Sequence, residues 1–224
     1  MELYVIIVAG GKGERFGTAV PKQFIEIAGK PLILRTFDAF SGYFDKAHFV
    51  LVLPEMEIGR WKHIAHHFNF SLPYTLIEGG PTRFHSVKNG LEVVPGNSLV
   101  AIHDASRPLV SSTTIANCIR TAKLHGNAVP VVPVTDSVRM IENGVGKALD
   151  RNKLFWVQTP QVFNSKLIKA AYNRVYNHIF TDDASVLEAS GHQIFTVEGN
   201  PENIKITRPA DLAFASYFIE NNLE

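Results

Sequence analysis

Apolar residues along the chain are grouped into short runs, separated by segments with a different spacing. The runs are rich in β-branched side chains and are bounded by turn-forming residues, a pattern that is typical of buried strands. Five such strands are predicted, at residues 3–9, 48–53, 74–77, 99–103 and 128–132.

The segments between these runs carry apolar residues three or four positions apart, as in Ile58, Trp61 and Ile64, which is the spacing of an amphipathic helix. Because strands and helices alternate, we predict an α/β fold with a mainly parallel sheet and helices on both of its faces. Two later helices are predicted at residues 165–176 and 209–221, both packed on the outside of the sheet.

Residues 134–154 differ from the rest of the chain. They are polar, contain Gly144 and Gly146 as turn residues, and include short stretches in which apolar and polar residues alternate. We predict that they form a β-hairpin arm that leaves the main body.

Length, composition and charge narrow the class of protein. The 224 residues contain no repeat, low-complexity tract or Pro- or Ser-rich linker, so we expect a single domain over residues 1–224. A formal net charge of +1 gives no overall field that would attract nucleic acid or an anionic membrane. The first apolar run is too short to cross a bilayer, so we expect a cytoplasmic protein with no membrane segment. The single cysteine, Cys118, lies in a helical pattern and is expected to be buried and inert.

A glycine-rich loop at residues 9–17 follows the first predicted strand, and Pro21, Lys22 and Gln23 come a few residues later. Glycines let backbone N–H groups approach a phosphate closely, and lysine and arginine supply the countercharge. A tight turn with solvated charges would have a similar composition. The spacing to Lys22 favours an anion-binding loop.

Two common phosphate-binding loops do not match. No Gly-Lys-Ser/Thr sequence closes the loop, as the P-loop of kinases and ATPases requires. The dinucleotide-binding fingerprint needs a third glycine where Phe16 stands, and no acidic residue ends a second strand at the required distance. An NAD-linked oxidoreductase is therefore only a minor alternative.

The loop has the form Gly-Gly-x-Gly-x-Arg-Phe-Gly and resembles the signature of nucleotidyltransferases with an α/β, Rossmann-like fold. Further strings extend the likeness, in order, over nearly the whole chain. Together they resemble the 2-C-methyl-D-erythritol 4-phosphate cytidylyltransferase family. These strings lie at residues 79–87, 103–108, 150–152, 158–161, 181–185 and 203–209.

The resemblance implies transfer of CMP from CTP to 2-C-methyl-D-erythritol 4-phosphate, a step of non-mevalonate isoprenoid synthesis, with Arg15 and Lys22 as catalytic residues. In that reaction the acceptor phosphate attacks the α-phosphorus of CTP and pyrophosphate leaves. Negative charge on the α-phosphoryl oxygens must then be stabilised, which fixed cations do without proton transfer.

The resemblance also implies a nucleotide site in which Gly79, Gly80 and Ser86 read the cytosine base through backbone groups and a hydroxyl. One departure from the family pattern is Pro81, which stands where an acidic residue is common and which has no N–H to donate. The implied nucleotide-binding residues are Ala9, Gly10, Gly11, Gly13, Gly79, Gly80, Arg83, Ser86, Asp104 and Ala105.

Asp104 follows a predicted buried strand, so it should emerge at the carboxyl edge of the sheet, where open α/β folds bind ligands. A carboxylate there suits a Mg²⁺ that bridges CTP phosphates, because Mg²⁺ takes few protein carboxylates and keeps phosphate oxygens or waters as its other ligands. A turn or helix-capping aspartate is the alternative, and Arg107, placed as in the family pattern, favours the metal role. His103 is expected to be structural.

Contacts to the acceptor are implied for Arg107, Ser137, Arg151, Thr159, Thr181 and Lys205. Thr181 has a competing role as a helix N-cap. The arm, in which Ser137 replaces the family's usual threonine, resembles the segment that reaches across a homodimer and lends residues to the neighbouring site. An exposed hairpin would otherwise leave unpaired strand edges, so we expect a homodimer that binds CTP and a small polyol phosphate.

Two other functions stay open. Ribitol-5-phosphate cytidylyltransferase shares the glycine loop and the His-Asp string and differs in its acceptor contacts, although residues 150–152 and 203–209 favour methylerythritol phosphate. A non-catalytic nucleotide-binding regulator on the same fold is a rival of another class. The presence of both Arg15 and Lys22 argues against it, because a mere binder does not need cations for a transition state.

Overall fold

All five apolar runs form strands in the computed structural model, which describes residues 1–10, 20–42 and 47–221. The strands of these described parts are Leu3–Val8 (β1), Glu26–Ile27 (β2), Lys30–Pro31 (β3), His48–Leu53 (β4), Tyr74–Glu78 (β5), Leu99–Asp104 (β6), Asn127–Pro133 (β7), Arg139–Glu142 (β8), Val145–Ala148 (β9), Phe155–Val157 (β10), Gln161–Asn164 (β11) and Thr196–Glu198 (β12). The α-helices are Leu32–Ser41 (α1), Glu55–His67 (α2), Arg83–Glu92 (α3), Ser112–His125 (α4), Ser165–Ala171 (α5), Asp183–Glu188 (α6) and Pro209–Glu220 (α7).

The main sheet has the strand order β10-β7-β11-β6-β1-β4-β5, and β12 pairs with β7. Strands β6, β1, β4 and β5 are parallel to their neighbours within this group, and β12 is parallel to β7. Strand β11 is antiparallel to β6 and β7, and β10 is antiparallel to β7. The α/β class with a mainly parallel sheet is confirmed. Strands β2, β3, β10, β11 and β12 were not predicted. Four of them have only two or three residues, and β11 has only two apolar residues between polar ends, so none stands out as an apolar run.

The core lies in two layers, one on each face of the sheet. Val5 and Ile7 of β1 pack in the layer that contains Phe37 of α1 and Trp61 of α2, together with residues of α4. Ile6, the residue between them, packs in the other layer with residues of α3, α5 and α6. Because successive strand residues point to opposite faces, this alternation places helices on both sides of the sheet, as predicted.

Three details of the prediction were wrong. The helix predicted at residues 165–176 ends at Ala171, because Tyr172 is its C-cap and the chain then turns toward α6. Helix α7 begins at Pro209 as expected, but it packs in a separate small cluster with Ile27, Leu32 and Ile206 rather than on the main sheet. Gly146 lies within β9 instead of in a turn.

The arm is a two-stranded hairpin in which β8 pairs with β9. Its turn is formed by Asn143 and Gly144, both with positive φ (49° and 80°), which suits an Asn-Gly hairpin turn. Every residue of both strands is exposed. The structure therefore has a β-hairpin within the predicted 134–154 segment.

Two further expectations concern burial. Cys118 is fully buried in α4, and burial raises the pKa of its thiol to about 12, so this side chain is protected as predicted. Among the described residues, no helix is both long enough and apolar enough to cross a membrane.

Candidate active site

A cavity of about 210 Å³ opens at the carboxyl ends of β1 and β6. These strands are parallel neighbours, and Val8 at the end of β1 is level with Asp104 at the end of β6. Ligands of open α/β sheets bind at this edge. The described residues that line the cavity are Val8, Ala9, Gly10, Lys22, Gln23, Arg83, Asp104, Ala105, Ser106 and Lys205.

Asp104 is the centre of a charged cluster beside this cavity. Its Oδ2 atom lies 2.9 Å from Nζ of Lys205 and 3.5 Å from Nε of Arg107, and its Oδ1 atom accepts a hydrogen bond from Nε of Arg83 at 3.2 Å. Burial alone would raise the pKa of this carboxyl group. The three cations outweigh burial and hold its pKa well below the usual range, so Asp104 is ionised.

Arg83, the first residue of α3, forms an ion pair with a second carboxylate, that of Asp183. Its Nη1 and Nη2 atoms donate to the two carboxylate oxygens of Asp183 at 2.9 and 2.8 Å. Burial would lower the pKa of Arg83, but Asp183 and Asp104 raise it well above the usual value. The guanidinium is thus fixed between two carboxylates, and a bidentate pair of this kind sets its orientation.

The net charge of the cluster favours an anion. Among the described residues of the cluster, four side chains are cationic (Lys22, Arg83, Arg107 and Lys205) and two are anionic (Asp104 and Asp183). Lys22 also donates to the backbone carbonyl of Ile206 at 3.3 Å, which ties the segment after the glycine loop to the C-terminal string. This excess of positive charge suits the phosphates of a nucleotide or of a phosphorylated acceptor.

The segment around Gly79 and Gly80 is closely packed on Ser86. The Ser86 hydroxyl accepts a hydrogen bond from the Gly80 N–H at 3.1 Å and donates to the Thr82 carbonyl at 3.0 Å. A Cβ at Gly79 would lie 3.1 Å from the Ser86 hydroxyl oxygen, and a Cβ at Gly10 would lie 3.2 Å from it. The structure thus brings Gly10 and Gly79 together around Ser86, where a larger residue would need its neighbours to move.

His103 and Thr159 lie behind Asp104 in the core. Nε2 of His103 donates to the Arg107 carbonyl at 2.9 Å, because a carbonyl can only accept. Its Nδ1 then accepts from the Thr159 hydroxyl at 3.0 Å, and this hydroxyl accepts from the Asp104 N–H at 3.1 Å. Burial lowers the pKa of His103 to about 4, so the ring is neutral. These bonds agree with a structural His103; the acceptor contact of Thr159 stays a prediction.

The remaining predicted residues lie in different places. Ser137 and Arg151 border a separate concavity of about 320 Å³ on the arm, where Nη1 of Arg151 donates to the Thr135 carbonyl at 2.6 Å. Thr181 is exposed, and the N-cap of α6 is Asp182. The predictions for Gly11, Gly13 and Arg15 lie outside the described residues.

Sequence reasoning missed Gln23, Tyr172 and Asp183. Gln23 is buried at the cavity and donates to the Ala9 carbonyl at 3.1 Å, which fixes the end of β1. Asp183 follows a residue that caps α6, so it reads as a second acidic residue of a helix start. Two adjacent aspartates precede an apolar helix, and only one of them can cap it. The other, if buried, needs a cationic partner, and this was the signal in the sequence.

The described residues contain no cluster of three or more histidine, cysteine, aspartate or glutamate side chains that could hold a metal ion. Of the described residues that line the cavity, Asp104 alone carries a carboxylate. A single carboxylate beside an anion site fits Mg²⁺ that is held largely by phosphate oxygens, and does not fit an all-protein metal cage.

An α/β sheet with a cationic cavity at its carboxyl edge, beside glycines packed around a serine, fits the class of the nucleotidyltransferases. The sequence profile of the 2-C-methyl-D-erythritol 4-phosphate cytidylyltransferase family matches residues 3–221. The chain belongs to this family and is a cytidylyltransferase, which confirms the resemblance drawn from the sequence.

Individual relatives give the same result over almost the full length. The chain is 46% identical to the 2-C-methyl-D-erythritol 4-phosphate cytidylyltransferase of Phocaeicola vulgatus, with 98% of this chain and 100% of that protein covered. It resembles the crystal structure of the enzyme of that name from Thermus thermophilus with a TM-score of 0.77 and 31% identity, over 98% of this chain and 100% of the other. The similarity to 4-diphosphocytidyl-2C-methyl-D-erythritol synthase from Anaerococcus prevotii has a TM-score of 0.83 at 25% identity, covering 98% and 96%.

Proposed function

We propose that the chain transfers CMP from CTP to 2-C-methyl-D-erythritol 4-phosphate, which yields 4-diphosphocytidyl-2-C-methyl-D-erythritol and pyrophosphate in non-mevalonate isoprenoid synthesis. The observation that carries the proposal is the cluster of Lys22, Arg83, Arg107 and Lys205 around Asp104, at the sheet edge of a family member. Such a cluster can hold a nucleoside triphosphate and a phosphorylated acceptor side by side.

The reaction needs the acceptor phosphate oxygen to form a bond to the α-phosphorus of CTP while the bond between that phosphorus and the bridging oxygen of pyrophosphate breaks. The bonding electrons leave with pyrophosphate. A phosphate monoester is already a nucleophile near neutral pH, so no side chain has to act as a strong base. Lys22, together with Arg15, stabilises the charge that builds up on the α-phosphoryl oxygens.

We assign the nucleotide to the end of the cavity formed by Ala9, Gly10 and Ala105. The packing of Gly79 and Gly80 on Ser86 supports a base-reading role for that segment, since backbone groups in a rigid turn can distinguish the donor and acceptor pattern of cytosine from that of uracil. Pro81 follows these glycines and contributes no N–H to the base.

Asp104 is the residue that would hold Mg²⁺, and the metal would neutralise charge on the CTP phosphates when bound. Lys205 and Arg83 contact the same carboxylate, so they would lie beside the CTP phosphates. Lys205, Arg107, Thr159 and Thr181 are the proposed contacts to the acceptor from the same subunit.

We also propose that the protein is a cytoplasmic homodimer of one-domain subunits in which the arm carries Ser137 and Arg151 to the neighbouring site. These two residues border a concavity on the arm rather than the cavity at Asp104, as the proposal requires. The arm and the adjacent strand β10 expose the apolar side chains of Ile141, Val145 and Trp156, which a partner subunit would cover.

The test is pyrophosphate release from CTP and Mg²⁺ with methylerythritol phosphate and, in parallel, with ribitol 5-phosphate. We expect release with the first acceptor, little with the second, and loss of release in Lys22→Ala. Lys62→Ala is the matched control, because it removes the same charge from an exposed position on α2 and should keep full activity. Pyrophosphate release with ribitol 5-phosphate alone would show that the acceptor is ribitol 5-phosphate and not methylerythritol phosphate. No release with either acceptor would favour a nucleotide-binding regulator.

A further inference from the structure

A continuous chain of buried polar contacts leads from the charged cluster into the core behind it. The Tyr172 hydroxyl donates to Oδ1 of Asp183 at 2.6 Å, and Asp183 accepts hydrogen bonds from both terminal nitrogens of Arg83. Nε of Arg83 then donates to Asp104. We infer that Asp183 and Tyr172 are positioning residues of the nucleotide site, which hold the Arg83 guanidinium and, through it, the Asp104 carboxylate. This inference rests on the function proposed above.

The geometry of Arg83 explains why a second carboxylate matters. The three hydrogen bonds to Asp104 and Asp183 use three of its five N–H donors, and the side chain, 27% exposed, lines the cavity. An arginine bound by Asp104 alone could rotate about its long side chain. The bidentate contact with Asp183 removes that freedom, so the remaining donors keep a fixed direction.

Asp183 is itself held in place by the sheet that carries Asp104. It is fully buried as the first residue of α6, whose N-cap is Asp182. Gln161 of β11 accepts from the Ala184 N–H and donates to Asp182, both at 2.8 Å. Because β11 pairs directly with β6, adjacent strands hold Asp104, at the end of β6, and the start of α6, which carries Asp183.

Tyr172 contributes to the same arrangement through its ring and its hydroxyl. The ring is 2% exposed and stacks on Phe84, the residue after Arg83, with the ring centroids 4.7 Å apart. Burial and the nearby Asp183 raise the pKa of Tyr172 well above its usual value, so the hydroxyl stays a donor. Replacing Tyr172 by phenylalanine therefore removes the hydrogen bond to Asp183 and leaves the ring stack in place.

The experiment compares Tyr172→Phe with a matched control, Tyr74→Phe. The Tyr74 hydroxyl also has a side-chain partner, accepting from Trp61 Nε1 at 3.0 Å, but Tyr74 packs in the layer on the other face of the sheet. For both variants and for Asp183→Asn, we would measure the dissociation constant of CTP with Mg²⁺ by calorimetry, kcat and KM for CTP, and Tm. Tyr172→Phe would also be made in an Arg83→Lys background.

We expect Tyr172→Phe to weaken CTP binding or kcat/KM about fivefold to tenfold. Full loss of a hydrogen bond to a charged group corresponds to roughly 10-fold to 150-fold, and the effect on CTP is smaller because it is transmitted through Arg83. Asp183→Asn should have a larger effect, and Tyr74→Phe should change Tm alone. In the Arg83→Lys background, Tyr172→Phe should add less than about twofold, because both changes act through the same guanidinium.

Two results would overturn the inference. One is a Tyr172→Phe variant whose Tm is lowered, as in Tyr74→Phe, but whose CTP binding, kcat and KM remain those of the wild type. The other is an undiminished effect of Tyr172→Phe when Arg83 is already lysine. If the wild type binds CTP but does not use methylerythritol phosphate, the proposed acceptor fails while CTP affinity still decides the inference. A wild type that does not bind CTP would contradict both.

Discussion

The Nζ atom of Lys205 lies 2.9 Å from Oδ2 of Asp104, so the string before α7 is joined to the carboxyl end of β6 at the cavity. The Lys205 side chain is 40% exposed, and a partly solvated ion pair of this kind contributes little to folding. Asp104 also keeps Arg83 and Arg107 as partners. We therefore expect Lys205 to contribute mainly to the binding of an anionic ligand and little to stability.

Replacing Lys205 by alanine should lower kcat/KM roughly 100-fold, since it removes a cation that would bind phosphate, while Tm changes by only a degree or two. Steady-state kinetics and thermal unfolding would check both parts. Lys62→Ala, an exposed lysine on α2, is the control. A kcat/KM within twofold of the wild type would show that Lys205 does not contact substrate.

Replacing Gly80 by alanine should raise KM for CTP and destabilise the protein by about 1–3 kcal/mol. A Cβ there would fall on the Cβ and backbone of His85, in the first turn of α3, and would displace the turn that positions Arg83 and Ser86. CTP titration and urea unfolding would measure the two effects.

The control for Gly80 is Gly59→Ala in α2, where an added Cβ meets nothing within 4 Å. Alanine at that helical position should stabilise by up to about 1 kcal/mol and leave kinetics unchanged. Equal behaviour of the two variants would contradict the close packing described at Gly80.

His103 should make stability depend on pH between about 4 and 6.5. Its folded-state pKa is lowered to about 4, so the unfolded chain binds a proton more readily in this range. The stability that comes from the neutral ring is complete above pH 6.5 and is lost as pH falls through the window, by about 2 kcal/mol at pH 5. The depressed pKa of Asp104 acts only below its usual range, in a more acidic window.

NMR titration of the His103 ring and urea unfolding at pH 7 and pH 5 would test this dependence. We expect the ring to stay neutral at pH 5.5 in the folded protein. A His103 resonance that titrates near 6.5 would show that the ring is not held between Thr159 and the Arg107 carbonyl.

Charges on the arm should dissociate the proposed dimer. In the double variant Ile141→Asp and Val145→Asp, two exposed apolar residues of the hairpin become charged, so burial against a partner becomes unfavourable. We expect a monomer by analytical ultracentrifugation and a large loss of activity, because Arg151 would no longer reach the neighbouring site. Val175→Asp, which charges an apolar residue that is 89% exposed outside the arm, should stay dimeric. A wild type that sediments as a monomer at micromolar concentration would refute the dimer.

The sequence was sufficient for the parallel half of the sheet, because β1, β4 and β6 are buried on both faces and read as continuous apolar runs. It was insufficient for β10 and β12, three residues each, whose pairing depends on contacts distant in the chain. The position of Asp104 followed from strand order alone. Its connection to Asp183 did not, because Arg83 and Asp183 are 100 residues apart and meet only after β11 inserts beside β6.

Cytidylyl transfer is tested most directly by following the α-phosphorus of CTP. With CTP labelled at that position, Mg²⁺ and methylerythritol phosphate, we expect the label to appear in a cytidine diphosphate ester of the acceptor and unlabelled pyrophosphate to form in equal amount. Lys22→Ala should form neither. Label that appears in free CMP, or that stays in CTP while the acceptor is untouched, would contradict transfer of the cytidylyl group.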